Sequence, residues 1–129
     1  WESRIVTTKY LPKGVPIGYG CTYITSNKMR VGIVPVGYAD GYPVALSNRA
    51  EVLIRGRRCA VLGRVSMDQI VVNMTGLTRA GTGERVTLIG KDGNEEITAT
   101  ELASRAGTIS YEILTGIGNR VERWYVGGD

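Results

Sequence analysis

Met29–Arg30–Val31–Gly32–Ile33–Val34–Pro35–Val36 is the stretch on which the fold turns. Its β-branched residues favour extended backbone, and apolar side chains fall on both of its alternating faces. It therefore predicts a central strand covered on each side, not an edge with one wet face. Pro35 has no amide hydrogen to give to a ladder. The Gly37–Tyr38–Ala39–Asp40–Gly41–Tyr42–Pro43 that follows is a glycine-shaped loop, with Pro43 stopping further pairing.

On the N-terminal side, Ser3–Tyr10 alternates along a β-branched run and reads as an edge-like first strand, closed by the turn Leu11–Pro12–Lys13–Gly14. A second strand runs from Val15 into Ile17–Gly18–Tyr19–Gly20–Cys21–Thr22–Tyr23. Two glycines here bracket one phenol, so the backbone turns tightly and little crowds the Tyr19 ring. Such a segment can present a hydroxyl to something outside the domain or can simply turn a corner, and these residues alone leave both open.

On the C-terminal side, Ala50–Ile54 and Arg58–Val65 form a hairpin through Arg55–Gly56–Arg57, and the three arginines Arg55, Arg57 and Arg58 read as a solvated tip. Ile70–Met74 and Glu84–Ile89 add strands, the last ending at a turn over Gly90–Asn94. A helical pattern is confined to the end of the chain. Thr98 or Thr100 caps it, Glu101 lies in its first turn, Leu102, Ala103 and Ala106 make its apolar stripe, and Gly107 stops it. A short second helix follows over Tyr111–Thr115, and Asn119–Val126 closes as a strand. The expectation is one mainly β domain over residues 1–129, a barrel or sandwich of about eight to ten short strands with one or two small helices late in the chain.

Composition narrows the function. The chain has 129 residues, 43% apolar and 22% charged, with 18 glycines against 4 prolines. That is the make-up of a globular, turn-rich domain. Beginning at Trp1 without a Met, it reads as a piece of a longer chain. No segment approaches the roughly 18 apolar residues of a membrane span. With no leader visible either, a cytoplasmic location without membrane association is expected, and Cys21 and Cys59 read as reduced thiols. The net charge of +4 is scattered. Nucleic-acid recognition calls for a more continuous basic patch, so no nucleic-acid partner is expected; a small basic barrel binding nucleic acid or protein stands as the alternative. There is no histidine. This removes Ser-His-Asp and Cys-His chemistry and most zinc sites, so no metal site is expected and any chemistry falls to Tyr, Asp, Glu, Arg or Lys.

Five segments, in order, carry a resemblance: Gly18–Tyr23, Val34–Pro43, Gly63–Arg64–Val65–Ser66–Met67–Asp68–Gln69, Gly107–Thr108–Ile109–Ser110–Tyr111–Glu112–Ile113–Leu114, and Arg120–Val121–Glu122–Arg123. Together they resemble the C-terminal domain of alanine racemases, over nearly the whole chain. The resemblance implies a pyridoxal-phosphate-dependent isomerase that interconverts L- and D-alanine, a peptidoglycan precursor, by a two-base mechanism. It implies a homodimer in which an N-terminal barrel domain carries the cofactor lysine and this domain completes the site of the opposite subunit. Lys9, Lys13, Lys28 and Lys91 match no cofactor-lysine motif, so the isolated domain is expected to be inactive.

Residue by residue, the resemblance implies Tyr19 as the acid/base on one face of the substrate, opposite the lysine. A free phenol has a pKa of about 10, so positive charge must be supplied to favour its phenolate. The family places that charge in the barrel. Met67 and Asp68 match a pair that bounds the substrate, while Tyr38, Arg64 and Ile109 match positions of the access corridor. Tyr111 matches a phenol that binds the cofactor phosphate. Thr22, Tyr23 and Asp40 read as structural. Departures from the pattern include Asn73, Cys59, Glu122 and the uncharged pair Val44–Ala45 after the Gly37–Gly41 loop. A less basic corridor leaves alanine and serine both open as substrates.

Overall fold

The structure is a computed structural model and describes residues 1–18, 20, 22–118 and 121. Its elements are β1 (Glu2–Arg4), β2 (Thr7–Leu11), β3 (Pro16–Ile17), β4 (Tyr23–Ile24), β5 (Met29–Val34), β6 (Glu51–Ile54), β7 (Arg57–Leu62), β8 (Ile70–Asn73), β9 (Arg85–Thr87), β10 (Gly90–Asp92), β11 (Glu95–Ile97), α1 (Ala99–Ala106) and α2 (Ser110–Gly116). The mainly β class and the two late helices are as the sequence predicts. The expected closing strand over 119–126 lies outside the described residues except for Val121. Among the described residues no helix is long and apolar enough to cross a membrane.

One curled sheet dominates, in the order β1-β9-β6-β7-β8-β5-β2, with β3–β4 and β10–β11 as separate two-stranded hairpins. Its two edges are consecutive in the chain. The Ile5 amide donates to the Glu84 carbonyl at 3.0 Å, and the next amide, Val6, donates to Ile33 on the other side, also at 3.0 Å. Ile5 turns into the core, where it is buried. The single strand predicted over Ser3–Tyr10 is thus two strands that divide at Ile5 and bring opposite edges of the sheet together.

β5 is an interior strand paired on both sides, as expected, but it lies next to the β2 edge and not at the middle of the sheet, with Val31 standing opposite Lys9 of β2 and Asn73 of β8. Val34, Val52, Leu53, Ile54, Val72 and Val86 fill one core, capped by Leu102 of α1. Each such side chain contributes about 1.5–3 kcal/mol by leaving water. Thr98 is the α1 cap, its hydroxyl accepting from the Glu101 amide at 3.0 Å, and Gly107 ends the helix at a φ of 75°.

Two local features differ from the sequence reading. Gly90–Asn94 is not a bare turn: β10 and β11 pair across it, Lys91 opposite Glu96. These strands are short and polar, so they carry no apolar alternation to announce them. Arg58 is not a solvated tip either. Its guanidinium donates to Glu95 at 2.8 Å, to Glu101 at 2.7 Å and to Glu51 at 3.3 Å, tying β6, β11 and α1 together. The Arg58 guanidinium beside Glu101 holds that carboxyl below the usual carboxylate range. Cys59 is buried and unpaired, and burial pushes its thiol up to about 11. Cys21 lies outside the described residues.

Candidate active site

The candidate site gathers along one short segment, Gly63–Asp68, that links β7 to β8. At its first end it meets Gly18, the residue before Tyr19. Tyr19 itself is outside the described residues, but both flanks are described: Gly18 has a φ of +78° and Gly20 a φ of +80°. A Cβ on Gly18 would sit 2.8 Å from the Arg64 amide nitrogen, and one on Gly63 would sit 2.7 Å from the Ile17 carbonyl oxygen. The two backbones therefore lie in direct contact, which side chains at either glycine would prevent. This contact sets Arg64 against the residue preceding Tyr19.

At its second end the same segment meets the Gly37–Gly41 loop. The Tyr38 amide donates to the Ser66 carbonyl at 3.0 Å and the Ala39 amide to the Met67 carbonyl at 2.9 Å. Gly37 permits this approach, since a Cβ there would fall on the Ser66 carbonyl oxygen and within 2.6 Å of the Asp68 amide nitrogen. Inside the loop the buried Asp40 carboxylate accepts from the Gly37 amide at 3.1 Å. This agrees with a structural role for Asp40. Its carbonyl in turn accepts from the Gly118 amide at 2.9 Å, which docks the C-terminal end of α2 onto the loop.

Arg64, Met67 and Asp68 share the connecting segment, and Tyr38 is hydrogen-bonded to it through the backbone. Tyr111 lies in the first turn of α2 and Ile109 is the N-cap residue of that helix, whose C-terminal end is the one docked on Asp40. Tyr111 precedes Gly116 by five residues, about 7 Å along the helix axis. Four of these side chains are apolar or aromatic and yet exposed: Tyr38 at 51%, Met67 at 53%, Ile109 at 63% and Tyr111 at 71%, with Leu114 beside them at 52%. Val6, Tyr10 and Ile24 are also exposed, and large exposed hydrophobic side chains of this kind are what contact with a partner surface would cover. The Tyr111 ring sits on the face of α2 opposite Ile113, which is buried. Its hydroxyl meets no hydrogen-bonding partner among the described residues, leaving a free donor.

Ser47 and Asn48, which the sequence reading does not single out, hold the connecting segment in place. The Ser47 hydroxyl accepts from the Val65 amide at 2.8 Å, and the Asn48 side-chain oxygen accepts from the Gly63 amide at 2.6 Å. Together they hold both ends of Gly63–Val65. Asn48 adopts a left-handed φ of 59°, a conformation that Asn tolerates better than most residues. That tolerance was legible in the sequence, whereas the partners, 15 residues and more away, were not.

Comparison with known proteins is in keeping with this geometry. Residues 1–125 match the family model described as alanine racemase, C-terminal domain. The alanine racemase of Symbiobacterium thermophilum is 55% identical over 127 residues, which are 98% of this chain and 34% of that protein. Among solved structures, the alanine racemase of Streptomyces coelicolor A3(2) superposes with a TM-score of 0.92 at 41% identity, covering 98% of this chain and 33% of that one. That of Bartonella henselae, with covalently bound pyridoxal phosphate, superposes with a TM-score of 0.89 at 32% identity, covering 97% and 34%. The chain spans about a third of the length of the relatives it matches.

Proposed function

The chain belongs to the alanine racemase C-terminal domain family, and from that premise we propose that it completes the active site of a cytoplasmic, pyridoxal-phosphate-dependent amino-acid racemase. In this reading the protein is a homodimer, residues 1–129 form its C-terminal β-domain, and an N-terminal barrel of the opposite subunit covers the exposed face. The observation that carries the proposal is the Gly63–Asp68 segment. It touches the Gly18 backbone, next to Tyr19, at one end and is hydrogen-bonded to the Tyr38 loop at the other, so backbone from distant parts of the chain meets along the segment that carries Arg64, Met67 and Asp68.

Racemisation requires that a proton leave one face of the substrate α-carbon and another return to the opposite face. When bound, pyridoxal phosphate supplies an electron sink for the charge developed at that carbon. Tyr19 takes or returns the proton on one face, removing it from the L enantiomer and delivering it in the reverse sense. Gly18 and Gly20 let the backbone at Tyr19 approach a neighbour without side-chain collisions. Met67 and Asp68 bound the substrate, with small amino acids favoured. Tyr38, Arg64 and Ile109 line the approach and limit what enters. The unpartnered, exposed Tyr111 hydroxyl is a free donor suited to a phosphate oxygen, which is the fit this chain offers to the cofactor.

The test is Tyr19→Phe in the intact enzyme, with α-proton exchange followed in deuterated buffer for each enantiomer. Loss of a positioned acid/base group should slow exchange from the L enantiomer by about 10²–10⁴-fold, with exchange from the D enantiomer largely spared. Equal loss for both enantiomers would overturn the one-face role.

A further inference from the structure

We infer that Asn48 is a positioning residue for the Tyr19 side of the reaction, tying the Thr22 carbonyl, three residues after Tyr19, to Gly63, the same backbone point that Gly18, the residue before Tyr19, lies against. The inference rests on the proposed role of Tyr19 and adds a residue that the family resemblance does not single out.

The near limb of the Gly18–Thr22 corner is well anchored. Ile17 is buried, and its carbonyl lies against Gly63. Past Tyr19, Tyr23 pairs with Ile17 and packs against the core of Ile17, Met29, Val31 and Leu62, while Thr22 itself is exposed. A Cβ on Gly20 would meet nothing among the described residues nearer than the Thr22 methyl at 3.9 Å. Among the described residues, Asn48 is the one side chain hydrogen-bonded to the backbone of this corner. Its amide nitrogen donates to the Thr22 carbonyl at 3.3 Å while its oxygen accepts from the Gly63 amide at 2.6 Å.

Asn48 itself has a firm footing. The Arg49 amide donates to Leu46 at 2.9 Å and the Ala50 amide donates to the same carbonyl at 3.1 Å; Leu46 and Ala50 are both buried. One planar amide thus spans two glycine-rich segments and references both to the core. A proton transfer depends steeply on distance, and a displacement of about 1 Å can slow it by about a hundredfold. An exposed neutral hydrogen bond at 3.3 Å restrains less than a packed core, so loosening this one should cost a smaller factor, about tenfold.

The experiment uses the intact holoenzyme carrying Asn48→Asp or Asn48→Gly, each alone and combined with Tyr19→Phe. Aspartate keeps the acceptor for the Gly63 amide and tolerates the left-handed backbone, but it presents an oxygen where the Thr22 carbonyl needs a donor. Glycine keeps the backbone and removes both arms. Asn48→Asp should slow α-proton exchange from the L enantiomer about tenfold and leave exchange from the D enantiomer within about twofold. Asn48→Gly should do the same or more. In the Tyr19→Phe background neither substitution should slow L exchange further, because a group that acts through Tyr19 has nothing left to position.

Equal losses for both enantiomers, no loss for either, or full additivity with Tyr19→Phe would overturn the inference. So would loss of soluble holoenzyme in both Asn48 variants, which would mark a purely structural residue. If Tyr19→Phe is one-sided and Asn48→Asp is not, this inference alone fails. If Tyr19→Phe is itself symmetric, the proposed role of Tyr19 fails first.

Discussion

Replacing Gly37 by alanine should break the junction that gathers the candidate site. Its φ of −154° is extended backbone that alanine adopts freely, so the cost is steric. The added methyl would fall on the Ser66 carbonyl oxygen and within 2.6 Å of both the Met67 carbonyl carbon and the Asp68 amide nitrogen. All three are backbone atoms, and none can swing away as a long side chain would. The loop must lift, and the hydrogen bonds from the Tyr38 and Ala39 amides to Ser66 and Met67 are lost. Two such bonds are worth about 1 kcal/mol each, and forced overpacking adds about 1–3 kcal/mol. The sum, about 3–5 kcal/mol, corresponds to a fall of about 10–20 °C in Tm for a domain of this size. Thermal unfolding by circular dichroism reads the stability, and amide exchange by mass spectrometry reads the protection of Tyr38 and Ala39. Gly81→Ala is the matched control, since a Cβ there meets nothing within 4 Å among the described residues, and it should change stability by less than about 0.5 kcal/mol. A Gly37→Ala protein with Tm within about 2 °C of the parent and unchanged protection at both amides would refute the reasoning.

Two further outcomes follow from the packing around this site. Arg58→Ala removes the group that ties Glu51, Glu95 and Glu101 together; with the side chain 29% exposed, the loss should be about 1–2 kcal/mol after allowing for solvent screening. Because Arg58 holds the Glu101 carboxyl below its ordinary value, the stabilisation is present above about pH 4.3 and disappears as pH falls through the depressed value. The difference in Tm between parent and variant, measured from pH 7 down to pH 3, should therefore close on acidification, and a gap independent of pH would count against it. Tyr42→Phe should leave stability unchanged or raise it by up to about 1 kcal/mol in denaturant titrations. The Tyr42 hydroxyl is buried with no hydrogen-bonding partner among the described residues, while its ring keeps an edge-on contact with Trp1 at 6.0 Å. A loss of more than about 1 kcal/mol would mean that the hydroxyl is satisfied.

Much of this architecture was legible because it depends on neighbours along the chain. The interior strand at Met29–Val34 announced itself by apolar residues on both faces, and α1 announced itself by Thr98, its apolar stripe and Gly107. The division of the first strand at Ile5 was not legible. Nothing in the alternation of residues 3–10 says that successive amides pair with Glu84 and Ile33, because those partners belong to opposite edges of a sheet that exists only once curled. Arg58 was misread for a similar reason. Beside Gly56 and two other arginines it has every local mark of a solvated tip, and its three carboxylate partners come from 7, 37 and 43 residues away.

The same division runs through the site. The sequence by itself determined which groups are available: phenols at Tyr19, Tyr38 and Tyr111, the Met67–Asp68 pair, glycines wherever backbone must approach backbone, and no histidine to offer other chemistry. Only the tertiary structure decided how they meet. Gly18 finds Gly63, Gly37 finds Ser66–Asp68, and Asn48 bridges Gly63 to Thr22 through contacts between segments 15 to 45 residues apart. Local sequence sets the torsional and hydrogen-bonding capacity of each residue, but which capacities are spent on one another is settled by the burial of a common core that no short segment contains.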